Sequence, residues 1–245
     1  AKILANGDVG DWTTTAPLPG SAVRARSSAA YANGYIYVTG GSSGNSNATA
    51  TDTVFYAKVN QDGTISEWKT GTAINVSGSQ KLWSHTAAAY NGYLYIMGGI
   101  DDSATTRQTV YYSKLNADGS NGPWAAANSL DTFTAHHSSL VANGYLYSIG
   151  DDNSATIQYA KLNADGTLGS WATTTSLPAT RMFMSVGVAN GYIYAAGGSN
   201  GSGTYYSSTY YAPLNADGTI GAWSCQGSSG NCSGASTHVN TTALP

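Results

Sequence analysis

Lys161-Leu-Asn-Ala-Asp-Gly-Thr-Leu-Gly-Ser-Trp171 decides the fold, because the chain repeats it. The phrase returns as Lys114-Leu-Asn-Ala-Asp-Gly-Ser-Asn-Gly-Pro-Trp124 and as Pro213-Leu-Asn-Ala-Asp-Gly-Thr-Ile-Gly-Ala-Trp223. Looser copies run from Lys58 to Trp68 and from Ile3 to Trp12, so the tryptophans mark a period of 47 to 56 residues. Within each copy the Asn-Ala-Asp-Gly tetrad reads as a tight turn. Asn and Asp bond their own backbone, and Gly accepts positive φ. Self-similarity at this period is the mark of a repeat architecture.

A second phrase lies between successive tryptophans. It reads Tyr31-Ala-Asn-Gly-Tyr-Ile-Tyr-Val-Thr-Gly-Gly41, Tyr90-Asn-Gly-Tyr-Leu-Tyr-Ile-Met-Gly-Gly99, Val141-Ala-Asn-Gly-Tyr-Leu-Tyr-Ser-Ile-Gly-Asp151 and Val188-Ala-Asn-Gly-Tyr-Ile-Tyr-Ala-Ala-Gly-Gly198. Asn-Gly between apolar runs is a strong hairpin signal, since both residues tolerate the positive φ of a type I′ turn. The Tyr-rich run that follows favours a strand, and the glycines end it. In the last repeat the expected strands are a over 182–188, b over 192–196, c over about 205–214 and d over about 219–223. Four antiparallel strands recurring at this period describe a propeller blade.

These residues resemble the kelch-type β-propeller. In that family Leu-Pro and Arg lead into strand a, Asn-Gly makes the turn, Gly-Gly ends strand b and Trp marks strand d. The fourth repeat matches with Leu177-Pro178, Arg181, Asn190-Gly191, Gly197-Gly198 and Trp223, and the first with Leu18-Pro19, Arg24, Asn33-Gly34, Gly40-Gly41 and Trp68. The middle repeats depart: Leu82 and Thr134 stand at the Arg position, and Gly150-Asp151 replaces Gly-Gly. The resemblance implies an all-β, kelch-like propeller with four complete four-stranded blades, over about 24–70, 82–126, 135–173 and 181–223. Residues 1–15 read as the end of strand c plus strand d, and 224–245 resemble the linker into another blade. Together they make a split or incomplete fifth. Unpaired strand edges invite pairing. The two ends are therefore expected to meet within one chain, to belong to a longer propeller of which this sequence is a piece, or to serve self-assembly or protein–protein contact with a neighbour.

Composition narrows the functional classes. The 245 residues are 41% hydrophobic but only 9% charged, with a net charge of −3. That balance lacks the basic footprint of a nucleic-acid binder. No apolar run approaches the length of a membrane helix. Cys225 and Cys232 flank a Gly/Ser-rich loop; a disulfide fits better than a zinc site, which would need closer spacing and a second ligand pair. An oxidising, extracellular or cell-surface setting follows. Sequons at Asn47, Asn75, Asn200, Asn231 and Asn240 permit glycosylation. Ala1 reads as a processed or trimmed end.

Candidate chemistry is sparse. His85 and His137 share one repeat position on strand a, near the expected axis, where a catalytic or metal site would form. Arg24 and Arg181 would clamp a carboxylate there, or tie one blade to the next. Trp83 falls outside the repeat pattern and would offer a glycan a stacking platform if exposed. Asp101-Asp102 and Asp151-Asp152 follow strand b in adjacent blades and form oxygen-rich loops of the kind that binds Ca²⁺; no other cofactor is indicated. The repeat tryptophans are expected between blades. Glu67 is the only glutamate, and nucleophile elbows, P-loops and Rossmann fingerprints are absent. The leading expectation is a non-catalytic extracellular structural or interaction propeller, such as the repeating subunit of a surface fibre or adhesin; a glycan-binding lectin and a propeller hydrolase or oxidase are the alternatives.

Overall fold

Each Asn-Gly pair takes up the two positive-φ conformations of a tight hairpin, 52° and 81° at Asn33-Gly34 and nearly the same at the other three. These turns fix the register of strands a and b in every repeat. The computed structural model describes residues 1–21, 23–44, 46–226 and 237–239. It is all-β, a four-bladed propeller of antiparallel sheets. Among the described residues the only helical segments are the 3₁₀ turns Pro19–Ser21 and Asn47–Thr49.

Blade 1 comprises β1 (Ser28–Ala32), β2 (Tyr35–Thr39), β3 (Val54–Lys58) and β4 (Lys69–Thr70). The short strands β5 (Leu82–Trp83) and β8 (Ile100–Asp101) pair with each other. Blade 2 holds β6 (Thr86–Tyr90), β7 (Tyr93–Met97), β9 (Val110–Leu115) and β10 (Asn121–Ala126). Blade 3 has β11 (Ser138–Ala142), β12 (Tyr145–Ile149), β13 (Ile157–Lys161) and β14 (Ala172–Thr174). Blade 4 has β15 (Ser185–Ala189), β16 (Tyr192–Ala196), β17 (Thr209–Pro213) and β18 (Ser224–Gln226), and β19 (Thr237–Val239) lies parallel beside β18. Strand d thus starts at or beyond the repeat tryptophan in blades 1, 3 and 4, later than expected, because the c–d hairpin closes first through isolated bridges such as Leu162 to Leu168.

Tyrosine alternation builds the sheets. On one face of each blade the second Tyr of strand b lies opposite a Tyr of strand c, and the rings stack at centroid distances near 6 Å: Tyr37 on Tyr56, Tyr95 on Tyr112, Tyr147 on Tyr159, Tyr194 on Tyr211. Such cross-strand aromatic pairs stabilise a ladder by roughly 0.2–1 kcal/mol each. Three buried clusters straddle the interfaces between blades 1 and 2, 2 and 3, and 3 and 4. Trp124, Trp171 and Trp223 are buried in them, as expected of the repeat tryptophans. Each also donates its indole N–H to a carbonyl of the preceding linker, Thr72, Asn128 and Thr175, at 2.8 to 3.2 Å.

Trp12 breaks this pattern. Its hairpin forms, with Ile3 bridging Val9 and Gly7 at φ 87°. Yet Ile3, Val9 and Trp12 are 76, 59 and 83% exposed, whereas their equivalents Leu162, Leu168 and Trp171 are 7, 5 and 8% exposed. Among the described residues no inner strands and no preceding blade stand beside it, as they do beside the others. The tail strand β19 joins blade 4 and not this hairpin, so the expected pairing of the two ends is not seen among the described residues. Cys225 is disulfide-bonded, and Cys232, the only other cysteine of the chain, lies outside the described residues, as do Asn231 and Asn240.

Candidate functional site: axial collar and open seam

One position per repeat, seven residues before the turn Asn, carries positive φ without being glycine: Arg26 (53°), Ser84 (54°), His136 (58°) and Phe183 (53°). Left-handed backbone at a non-glycine residue costs roughly 1–2 kcal/mol and needs compensation. Here it comes from a staircase of backbone bonds around the axis. Ser84 N–H donates to Arg26 C=O at 2.9 Å, His136 N–H to Ser84 C=O at 3.0 Å, and Phe183 N–H to His136 C=O at 3.0 Å. Among the described residues no matching bond joins Arg26 N–H to Phe183 C=O. The collar is open where blade 4 faces blade 1.

The collar rims an open cavity of about 270 Å³, lined by Arg26, Ser84, His85, His136, His137 and Phe183 among others. His137 and Ser138 are shared with a second axial cavity of about 280 Å³, walled by the four inner strands. His85 and His137 come to the axis as the repeat predicts. Each is buried and hydrogen-bonded through Nε2 to a threonine of the preceding blade, His85 to Thr39 at 2.9 Å and His137 to Thr86 at 2.8 Å. Burial holds both imidazoles neutral. It lowers His85 to about 4 and His137 to about 3, with the neighbouring His85 and His136 adding to the latter. Their Nδ1 atoms, Ser84 Oγ and Trp83 Nε1 are buried without a partner.

Arg26 and His136 are the residues that sequence reasoning missed. Their only signal was the register with His85 and His137, one residue earlier in the repeat. The Arg26 guanidinium lies 4.8 Å from the Trp83 ring and 5.6 Å from that of Phe183, and bonds His136 Nε2 at 2.9 Å. His136 Nδ1 in turn meets Asp152 Oδ1 at 2.6 Å. A cation between two aromatic faces is a favourable arrangement.

Other expected site residues take different places. Trp83 is not an exposed platform: it is buried in β5 beneath Arg26. Arg181 is fully buried and turns away from ligand chemistry, donating to the Gly197 and Ser208 carbonyls and to Ser208 Oγ between the rings of Tyr206 and Tyr210. Its role is to tie the start of blade 4 to that blade's own loop. Arg24 bonds the neighbouring Val23 carbonyl and lies over Phe55, away from the axial cavity.

The four aspartates do not converge. Asp101 accepts from the Ser103 and Thr105 amides and pairs with Arg107. Burial alone would raise its carboxyl, but these partners outweigh it and hold the group below the usual range. Asp102 pairs with Lys81 at 3.2 Å, while Asp151 accepts from the Asn153 amide and Thr134. Among the described residues no three His, Cys, Asp or Glu side chains gather closely enough to hold a metal ion. Asn75 is exposed, whereas Asn47 and Asn200 are half-buried: Asn47 donates to the Asp102 carbonyl in the loop of blade 2 at 3.2 Å, and Asn200 accepts from the Ser202 and Thr204 amides.

The seam beside the collar gap is a second feature. In the three closed interfaces the second Tyr of strand b donates to the turn glycine of the next blade: Tyr37 to Gly119, Tyr95 to Gly166 and Tyr147 to Gly218, at 2.8 to 3.0 Å. Blade 4 presents the same Tyr192 and Tyr194, with Tyr192 exposed, and among the described residues no turn is docked on them. On the other wall Tyr31 and Ala29 of blade 1 are exposed, and Ile36 and Val38 are only half-buried, unlike Leu94 and Ile96 of blade 2.

No protein-family model and no curated protein matches the chain. Among solved structures it is similar to that of YjhT, itself a propeller, with a TM-score of 0.63 over 86% of this chain and 68% of that one, at 14% identity. At that identity the likeness speaks for the fold alone.

Proposed function

We propose that this propeller is a non-catalytic interaction module, extracellular or at the cell surface, which joins other chains through its open seam as the repeating unit of a structural assembly. The observation that carries this reading is the contrast between the buried hairpin core at Leu162, Leu168 and Trp171 and the exposed copy at Ile3, Val9 and Trp12. Large apolar side chains clustered on a surface mark a site of contact. The disulfide at Cys225 supports an oxidising compartment. Electron microscopy of native, unlabelled material tests the reading: repeating filaments or fixed multimers are expected, and discrete single rings at all concentrations count against it.

A second reading, binding of a small polar ligand such as a glycan at the axis, is favoured by three unpartnered buried polar atoms on residues that line the collar cavity, Ser84 Oγ, His85 Nδ1 and His137 Nδ1. Buried polar groups ordinarily find partners, in protein, water or ligand. Saturable binding of a glycan that weakens on Arg26→Ala supports it; binding unchanged by that substitution moves any such site off the axis.

A further inference from the structure

Resting on the open-seam reading, we propose that the hairpin of residues 3–12 docks on the Tyr192–Tyr194 wall of blade 4 in a second copy of this chain. The internal interfaces supply the precedent three times. In each, the c–d hairpin of one blade packs on strand b of the blade before it. Gly166 shows the fit: its carbonyl accepts from Tyr95, and a Cβ placed on it would lie 2.5 Å from the Tyr93 ring. The hairpin backbone therefore lies flat on the tyrosine face.

The N-terminal hairpin is built to the same plan. Gly7 has φ 87° beside 85° at Gly166, and the bridge from Ile3 to Val9 matches that from Leu162 to Leu168. Leu4 N–H donates to Asp8 C=O and Gly10 N–H to Lys2 C=O, as Asn163 does to Thr167 and Gly169 to Lys161. Yet nothing lies within 4 Å of where a Gly7 Cβ would be. Among the described residues nothing covers the matching wall on blade 4 either, where Tyr192, Gly187 and Ala189 are exposed.

Among the described residues hairpin and wall do not meet. The linker behind the hairpin is held on blade 1, where Trp68 donates to Ala16 C=O at 2.9 Å and Ile65 N–H to Thr15 Oγ1 at 3.0 Å. Hairpin and wall are unlike patches, so their pairing between two copies is a heterologous contact that can repeat. In that contact the Gly7 carbonyl receives the Tyr194 hydroxyl, and Ile3, Val9 and Trp12 are covered.

Sedimentation of the wild type, Trp12→Ser and Tyr192→Asp tests this, with circular dichroism to check that each remains folded. Both positions are exposed, so folding should survive. The expected result is concentration-dependent association of the wild type, weakened at least tenfold in each variant. An equimolar mixture of the two variants should give 1:1 dimers and nothing larger, because one working hairpin and one working wall remain. Wild type that associates while both variants associate equally well, or a mixture that yields no dimer, overturns the pairing but spares the open-seam reading. Wild type that stays monomeric overturns both. Quenching then separates the cases: a protected Trp12 means that the hairpin closes on its own blade 4, and an accessible one means that the seam stays open.

Discussion

Tyr95 and Tyr194 hold the same repeat position, but only Tyr95 donates its hydroxyl to a turn carbonyl of the next blade. Removing one partner of a buried hydrogen bond leaves the other unsatisfied, at about 1–3 kcal/mol. Tyr95→Phe should therefore lower thermal stability by several degrees, whereas Tyr194→Phe should leave a dilute sample within about 0.5 kcal/mol of wild type; calorimetry of both checks this. The axial imidazoles make a second prediction. Both are held neutral in the fold, so the unfolded chain takes up protons first as pH falls below about 6.5. Their contribution is complete above that pH and is lost progressively towards pH 4, on the order of 2 kcal/mol for each imidazole by pH 5. Urea unfolding at pH 7 and pH 5 measures the loss, and it should shrink in the His85→Gln, His137→Gln double variant.

At the scale of the element, the c–d hairpin is both a turn and a docking surface, and two glycines separate those roles. Gly166 and Gly63 have the same positive φ, 85° and 84°, so alanine strains either turn alike. Only at Gly166 would the new Cβ strike the Tyr93 ring, since nothing lies within 4 Å at Gly63. Gly166→Ala should be more destabilising than Gly63→Ala by at least about 1 kcal/mol, as read by chemical denaturation. Hairpins of this kind were fully legible in the sequence, because turn chemistry is local and the Asn-Gly and Asp-Gly pairs admit few conformations. The start of strand d was not, since it depends on isolated bridges that close the hairpin before the ladder resumes. The axial histidines were legible from their shared register. The burial of Trp83 under Arg26 was not, because that contact joins residues 57 positions apart through a collar with no local signature.

Across the whole molecule, burial is uneven in a way that follows the ring. Leu94, Ile96, Leu146 and Tyr147 in the middle blades are fully buried, while β15 of blade 4 is mostly exposed. Local opening takes less free energy where fewer apolar groups must leave their neighbours. Hydrogen exchange should show the slowest amides in β7 and β12 and faster exchange in β1 and β15, the strands that wall the seam. Equal protection around the ring would mean that something covers that wall in solution. No single repeat announces this asymmetry. The phrases at Trp12 and Trp171 look alike, and which of them is buried depends on what stands beside each.

The axial collar has a consequence for how such a molecule could acquire new binding preferences. Its left-handed backbone is imposed by carbonyls and amides, and four unlike side chains, a guanidinium, a hydroxyl, an imidazole and a phenyl ring, already occupy the same slot. The scaffold is therefore indifferent to what each slot displays. Exchanging those four residues would rewrite the chemistry at the mouth of the axis while leaving the hydrogen-bonded frame in place, much as an interchangeable bit fits a fixed chuck.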